Sequence, residues 1–291
     1  MALNHEKQFL AVGCSAARLL LAVAVCALTL FGVGCEKKGG APAAGGDAPT
    51  VAPSGGGEAP VAPDTATKLD PASVANGATI KGMVKLDGDA PEKKYDMSQR
   101  PECVALHPGG MPDRDNLLTG AGGGVKDVFV QITGGLEKYT FATPGEPVTV
   151  DQRGCVYVPH VFGMMVNQNI KLINSDEFLH NVNAPDARKN VAMPKPGERI
   201  EKRWFRKPKV PAVFQCEVHS WMKAYACIVD HPYFSVTTDD GTFEIKGLPP
   251  GTYKVTVWHE LVRGLKAPVE QEITVGEGET KEIEFVYTLG K

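Results

Sequence analysis

One short segment of the chain brings a thiol, an imidazole and a thioether within seven residues. It runs Cys216-Glu217-Val218-His219-Ser220-Trp221-Met222, and a second imidazole, His180, lies upstream of it. Thiolate and thioether sulfurs are soft donors that suit Cu(I), and imidazole suits both oxidation states of copper. Two histidines, one cysteine and a weak axial methionine therefore predict a mononuclear copper site for one-electron transfer.

Other chemistries fit this segment less well. Each of its residues alone would more often be a packing residue of a protein core. Zinc prefers four strong ligands, which would leave Met222 unexplained. A binuclear copper centre needs a second cysteine in the loop, and multicopper sites need His-x-His pairs, but the sequence contains neither. A catalytic cysteine–histidine pair would lack a nearby third group to orient it.

The segments around these residues are predicted to be β-strands. Apolar and polar residues alternate over residues 79–86, and short apolar runs bounded by turn residues recur up to residue 287. Short strands at close intervals are typical of β-sandwiches and barrels. Since no long segment has a helical period, the predicted fold class is all-β, with His180 supplied by a strand separate from the cysteine loop.

The Asn-Ser-Asp…His-Asn-Val segment at 174–182 and the Cys-x2-His-x2-Met loop resemble the cupredoxin family of blue copper proteins, over roughly residues 147–230. The loop spacing is amicyanin-like, since plastocyanin-like loops have a longer gap between histidine and methionine. The resemblance implies a Greek-key β-sandwich that holds one type 1 copper ion with His180, Cys216, His219 and Met222. It also implies that Asn181 bonds the cysteine loop. His219 would be the electron exit, in an apolar patch that includes Trp221.

The C-terminal segment indicates a second β module. Asp240-Gly241 supplies a hairpin turn, and the pattern Asp-Gly-x-Phe…Leu-Pro-Pro-Gly-x-Tyr resembles the carboxypeptidase regulatory-like, prealbumin-type β-sandwich. Such a module begins with a Gly-x-Val strand, which Gly82-Met83-Val84 fits. The resemblance implies that residues 78–135 and 231–291 are its two parts. The copper domain, 136–230, would be inserted between them, and simple tandem order is the alternative.

The N-terminal segment has the features of an export signal. Residues 1–34 combine a weakly basic start with an apolar run that is short for a membrane span. Cys35 follows Gly-Val-Gly, which resembles a bacterial lipoprotein cleavage box with Gly32 in the usual place of leucine. A plain cleaved signal and an uncleaved anchor are alternatives. Residues 36–77 are mostly Gly, Ala and Pro and predict a disordered tether, so we expect a lipid-anchored protein in the periplasm or on the extracytoplasmic membrane face.

Export also permits disulfide bonds. Cys103 and Cys155 could pair, which would leave Cys227 as a buried odd thiol. The alternative to this disulfide is that Cys103 binds a metal ion together with His107.

The charge pattern bears on the choice of partner. The formal net charge of −3 does not indicate nucleic acid as a partner. Residues 188–209 carry nine basic and two acidic residues and lie between the ligand segments. This stretch is either a solvated loop or a docking surface for an acidic redox partner such as a c-type cytochrome, with Lys202, Arg203 and Arg206 as candidate contacts.

Together, these features predict an exported type 1 copper protein that carries single electrons between redox partners and is not an enzyme. Two alternatives stay open. The same ligands could serve copper storage or delivery, or the chain could be a surface-binding β-sandwich module with a vestigial copper site.

Overall fold

The computed structural model describes residues 66–114, 117–201, 203–261, 265–266 and 270–289. The predicted leader, Cys35, most of the predicted tether and Lys202 lie outside these residues. The described chain is nearly all β, which confirms the predicted fold class. Its helical elements include α1 (Pro101–Ala105) and the 3-10 turns Pro71–Ser73, Ala121–Gly123 and Pro185–Ala187. None of the helices in these ranges is long and apolar enough to cross a membrane.

The middle of the chain forms one β-sandwich, here called the central sandwich. Its strands are β5 (Val148–Arg153), β6 (Val156–Val158), β7 (Val161–Met165), β8 (Ile170–Asn174), β9 (His180–Ala184), β10 (Lys189–Met193), β11 (Gly197–Glu201), β12 (Lys209–Gln215) and β13 (Lys223–Val229). The larger sheet has the order β10-β9-β12-β13-β7, and the smaller has the order β11-β8-β5-β6. Apolar side chains of both sheets close one core, among them Val150, Leu172 and Phe214.

Strands that precede and strands that follow the central sandwich in the sequence together form a second sandwich, here called the flanking sandwich. Its strands are β2 (Ala78–Asp87), β3 (Phe129–Gly134), β14 (Phe234–Val236), β15 (Thr242–Leu248), β16 (Gly251–Trp258), β17 (Leu265–Lys266), β18 (Glu270–Val275) and β19 (Thr280–Leu289). One sheet has the order β14-β3-β16-β18, and the other has the order β15-β2-β19-β17. Alternate residues of β16, Tyr253, Val255 and Val257, are buried on the core side, because successive side chains of a strand face opposite sides of the sheet.

The folded unit begins earlier than the tether prediction allowed. Strand β1 (Thr67–Leu69) pairs in parallel with β4 (Tyr139–Phe141), and the Thr67 N–H donates to the Lys138 carbonyl at 2.9 Å. The predicted tether, 36–77, is therefore wrong over its last residues. Their composition does not favour folding, but β4 provides a backbone partner that the local sequence cannot reveal.

A polar contact and an apolar contact lie between the two sandwiches. His160 Nε2 lies 2.6 Å from a carboxylate oxygen of Glu260, and the Tyr225 hydroxyl donates to the other oxygen at 2.8 Å. Nearby, a Cβ atom at Gly163 would overlap the ring of Phe234, so this position of β7 requires glycine. The two sandwiches are thus packed against each other through side chains with specific partners.

The buried ring of His259 makes stability depend on pH. Burial lowers the pKa of His259 to about 4, an effect larger than the attraction of the neighbouring Glu260. In the unfolded chain the ordinary pKa is about 6.5, so the folded state favours the neutral ring. Because the folded pKa is the lower one, this contribution is present above about pH 6.5 and is lost as the pH falls towards about 4.

We expect His259→Gln to flatten the pH dependence of stability. The wild-type protein should lose about 3 kcal/mol of unfolding free energy from this residue between pH 6.5 and 4. Urea unfolding at several pH values measures that loss in both proteins. Parallel pH profiles for the two proteins would contradict the assignment.

Candidate metal centre

Neighbouring strands of the larger central sheet position the predicted ligands at one end. His180 is the first residue of β9, Cys216 directly follows β12, and the loop 216–222 leads into β13. Strand β12 lies between β9 and β13, with Gln215 paired to Asn183. Because antiparallel neighbours place the end of one strand beside the start of the next, residues that are distant in sequence meet here.

The ligand loop is closed by hydrogen bonds of the chain itself. The Cys216 N–H donates to the Met222 carbonyl at 3.2 Å, and the Met222 N–H donates to the His219 carbonyl at 3.0 Å. Asn181 Oδ1 accepts a hydrogen bond from the Glu217 N–H at 2.7 Å. Asn181 is therefore placed where the sequence predicted it, bonded to the cysteine loop.

The two imidazoles and the thiol point at one another. Nδ1 of His180 lies 3.0 Å from Nδ1 of His219, and Cys216 Sγ lies 4.0 Å and 3.7 Å from these two nitrogens. The three side chains are at most 3% exposed, and Met222, at the end of the loop, is buried as well. Two nitrogen donors and one sulfur donor, shielded from water, suit a soft transition-metal ion.

The partners of the histidines determine which nitrogen faces this point. His180 Nε2 lies 2.9 Å from Asp176 Oδ2, and since a carboxylate only accepts, Nε2 carries the hydrogen. Nδ1 of His180 then carries a lone pair and accepts a hydrogen bond, so the facing Nδ1 of His219 donates the hydrogen between them. Nε2 of His219 is left as a buried acceptor without a hydrogen-bond partner among the described residues. A cation bound by both Nδ1 atoms would replace the single shared hydrogen, so the donor set fits a metal ion.

The surroundings of Cys216 favour its thiolate form. Burial raises the pKa of this thiol, but the adjacent imidazoles of His180 and His219 and the backbone of Asn181 outweigh burial and lower the pKa to about 5. Cys227, the other free cysteine of the described chain, is also buried, and there burial raises the pKa well above its ordinary value. Since the thiolate is the form that binds metals, the two buried thiols differ in chemistry.

His219 is covered, which corrects the prediction that its edge reaches the surface. The residue is 1% exposed, and one of its ring nitrogens lies within 4.8 Å of the sulfurs of Cys103 and Cys155. The ring of Phe178 packs against it at a centroid distance of 6.1 Å. Trp221 also packs against it, at 5.3 Å, and is itself half-buried.

The cover comes from α1, which lies outside the segment that resembles cupredoxins. Cys103 on α1 forms a disulfide with Cys155, in the turn between β5 and β6, and Trp221 Nε1 donates to the Cys155 carbonyl at 2.9 Å. The disulfide leaves Cys103 without a thiolate, and His107 contacts the Gly154 carbonyl at 2.9 Å, so the alternative of a metal site built on Cys103 and His107 does not fit the structure. The cysteine pair was visible in the sequence, but its place over His219 was not.

The basic residues predicted as docking contacts lie away from the ligands. Strand β11 is antiparallel to β8, pairs Gly197 with Asn174 beside the site, and then runs to the opposite end of the sheet. The exposed Arg203 and Arg206 follow at that far end, and Lys202 lies outside the described residues. Arg203 and Arg206 therefore do not border the predicted ligands, although their stretch lies between the ligand segments in sequence, because spacing in sequence does not reveal strand direction.

Comparisons with known proteins match parts of this chain. Residues 206–283, less than half of the chain, match the family model described as polysaccharide lyase family 4, domain II. No match was found among curated proteins.

Among solved structures, the chain is similar to a copper-containing nitrite reductase from Thermus scotoductus SA-01, with 23% identity and a TM-score of 0.26 over 31% of this chain and 24% of that one. It is similar to a purple cupredoxin from Nitrosopumilus maritimus, with 13% identity and a TM-score of 0.24 over 28% and 99%. It is also similar to a Cu(I) form of an amicyanin mutant, with 14% identity and a TM-score of 0.22 over 34% and 98%. This chain thus spans about a quarter of the nitrite reductase.

We expect the copper-free protein to keep Cys216 as a thiolate at neutral pH. Its ultraviolet thiolate absorbance should disappear as the pH falls through about 5. In Cys216→Ser the acidic transition should be absent, because Cys227 stays protonated at neutral pH. A wild-type protein without thiolate absorbance at pH 7 would contradict the prepared thiolate.

Proposed function

We propose that this protein binds one copper ion as a type 1 site and carries single electrons. The observation that carries the proposal is the buried convergence of His180 Nδ1, His219 Nδ1 and the Cys216 sulfur. When bound, copper supplies a one-electron couple in a mixed nitrogen and sulfur environment. Met222 would supply the fourth, weaker donor that the loop spacing implies.

The chain keeps these donors in place before any ion is bound. The loop bonds of Cys216 and Met222 fix the backbone, and the Asn181–Glu217 bond ties the loop to β9. A donor set that is already assembled needs little rearrangement when an electron arrives or leaves, which keeps the barrier to electron transfer low. This rigidity supports a carrier rather than a catalyst with a substrate site, so we propose that the protein is not an enzyme.

Trp221 is the proposed route for the electron. His219 is covered, whereas Trp221 packs on the His219 ring at 5.3 Å and remains half-buried. An electron that leaves the site through His219 can therefore reach the surface through the Trp221 ring. Val218, next to His219 in the loop, is also half-buried and would contribute to a small contact surface.

The N-terminal sequence suggests where in the cell this site acts. We propose a lipid anchor at Cys35, with the protein on the extracytoplasmic membrane face and a redox protein such as a c-type cytochrome as its partner. The flanking sandwich is proposed to be a carboxypeptidase regulatory-like scaffold. Nucleic acid is not proposed as a partner.

One experiment tests the copper site directly. The full-length protein is mixed with one equivalent of Cu(II), and visible and electron paramagnetic resonance spectra are recorded. We expect an intense blue thiolate-to-copper band and narrow copper hyperfine splitting. Cys216→Ser should lose both features, and Cys227→Ser, the same change at the other buried free cysteine, should keep both.

The remaining outcomes distinguish the alternatives. A colourless protein that binds Cu(I) tightly would indicate copper storage or delivery through the same ligands. A protein that binds neither ion would leave a surface-binding β-sandwich module with a vestigial site. Either result would overturn the proposed electron carrier.

A further inference from the structure

A buried carboxylate lies behind one of the proposed ligands. Asp176 is 5% exposed, and its Oδ2 lies 2.9 Å from Nε2 of His180, on the opposite side of the ring from the donor cluster. Oδ1 accepts a hydrogen bond from the Gly154 N–H at 2.8 Å, and Oδ2 accepts one from the Cys155 N–H at 2.9 Å. Each oxygen thus has at least one donor, and the carboxylate cannot rotate without losing these bonds.

The two backbone donors come from one tight turn. Arg153 pairs with Val156 in the β5–β6 hairpin, and the residues between them, Gly154 and Cys155, both have positive φ, 64° and 58°. Two successive left-handed residues are the pattern of a type I′ turn. Left-handed backbone is unusual for a cysteine, and here the disulfide to Cys103 ties this residue to α1. The turn presents consecutive N–H groups to Asp176, as backbone nests do for anions.

The hydrogen bonds keep Asp176 ionised in spite of its burial. Three hydrogen donors, His180 Nε2 and the N–H groups of Gly154 and Cys155, face its two oxygens, and such bonds favour the charged carboxylate over the neutral acid. A negative charge that is shielded from water therefore lies one imidazole ring away from the donor cluster. In such surroundings charges interact more strongly than they do at the surface.

We infer that Asp176 is a positioning residue that tunes the metal site through His180. It holds His180 as the Nε2–H tautomer, which aims the Nδ1 lone pair at the metal position, and it makes the imidazole a stronger donor. This inference rests on the proposed function as a copper site. A stronger donor and a nearby negative charge favour Cu(II) over Cu(I), so Asp176 lowers the reduction potential.

The size of the effect can be bounded. Outer partners of metal-bound histidines typically change metal affinity by about 10- to 100-fold when they are removed. If removal of the carboxylate weakens the binding of Cu(II) more than the binding of Cu(I), we expect the ratio of the two affinities to change by about tenfold. For a one-electron couple a tenfold shift is about 59 mV.

The test compares Asp176→Asn with a matched control. Asp151→Asn removes a second buried carboxylate of the same sandwich, one that bonds Ser175 and Arg153 rather than a histidine. Redox titration of the copper-loaded proteins should show a potential raised by about 59 mV in Asp176→Asn, which is a tenfold shift towards Cu(I). Asp151→Asn should stay close to wild type.

A second measurement needs neither copper nor a variant. Nitrogen-15 NMR of the copper-free wild-type protein reports the tautomer of each histidine. We expect His180 to carry its hydrogen on Nε2 and His219 to carry its hydrogen on Nδ1. A wild-type His180 protonated on Nδ1 would overturn the inference even if Asp176→Asn does not fold.

The outcomes separate this inference from the proposed function. A wild-type blue copper spectrum with an unchanged or lowered potential in Asp176→Asn would reject the role of Asp176 and leave the electron carrier intact. An equal rise in Asp151→Asn would also reject it, because a general loss of charge would then explain the shift. If the wild-type protein binds no copper, the inference fails together with the proposed function.

Discussion

The end of the central sandwich that carries the candidate metal ligands depends on the close approach of two buried imidazole nitrogens. Nδ1 of His180 and Nδ1 of His219 lie 3.0 Å apart, and two lone pairs at this distance require a hydrogen or a cation between them. The approach is enforced by the sheet, because β12 joins β9 to β13 and brings both ring-bearing segments to one place. The apolar core beneath, which includes Phe214, holds that sheet together and so offsets the desolvation of the polar groups.

Such a site needs a cover, and the cover comes from a distant part of the chain. The Cys103–Cys155 disulfide closes a loop with a sequence separation of 52, which by chain entropy stabilises the fold by about 4 kcal/mol. Arg100, which precedes α1, donates to the Val218 carbonyl at 3.1 Å, so α1 is also attached to the ligand loop. The disulfide thus has two structural effects: it holds α1 over His219 and anchors the turn that binds Asp176.

Three of the four candidate donors were recognisable in the sequence because they are local. Cys216, His219 and Met222 lie within one loop, and alternation of apolar residues indicates strands directly. The cover of His219 and the direction of the basic stretch were not predictable, since both depend on long-range pairing. Asp176 belonged to the segment that suggested the fold, but the turn at Gly154 that also binds its carboxylate lies 22 residues away, and no spacing rule connects the two.

The cover also bears on the choice between carrying electrons and delivering copper. A delivery protein must release its ion, which here would require movement of a disulfide-linked segment over a nearly fully buried His219. An electron needs no such opening, because it can pass through packed side chains such as the Trp221 ring. By excluding water, the cover also strengthens every charge interaction inside, including that of Asp176 with His180. A closed, preassembled site that reaches the surface through the half-buried Trp221 ring is therefore better suited to electron transfer than to exchange of the ion.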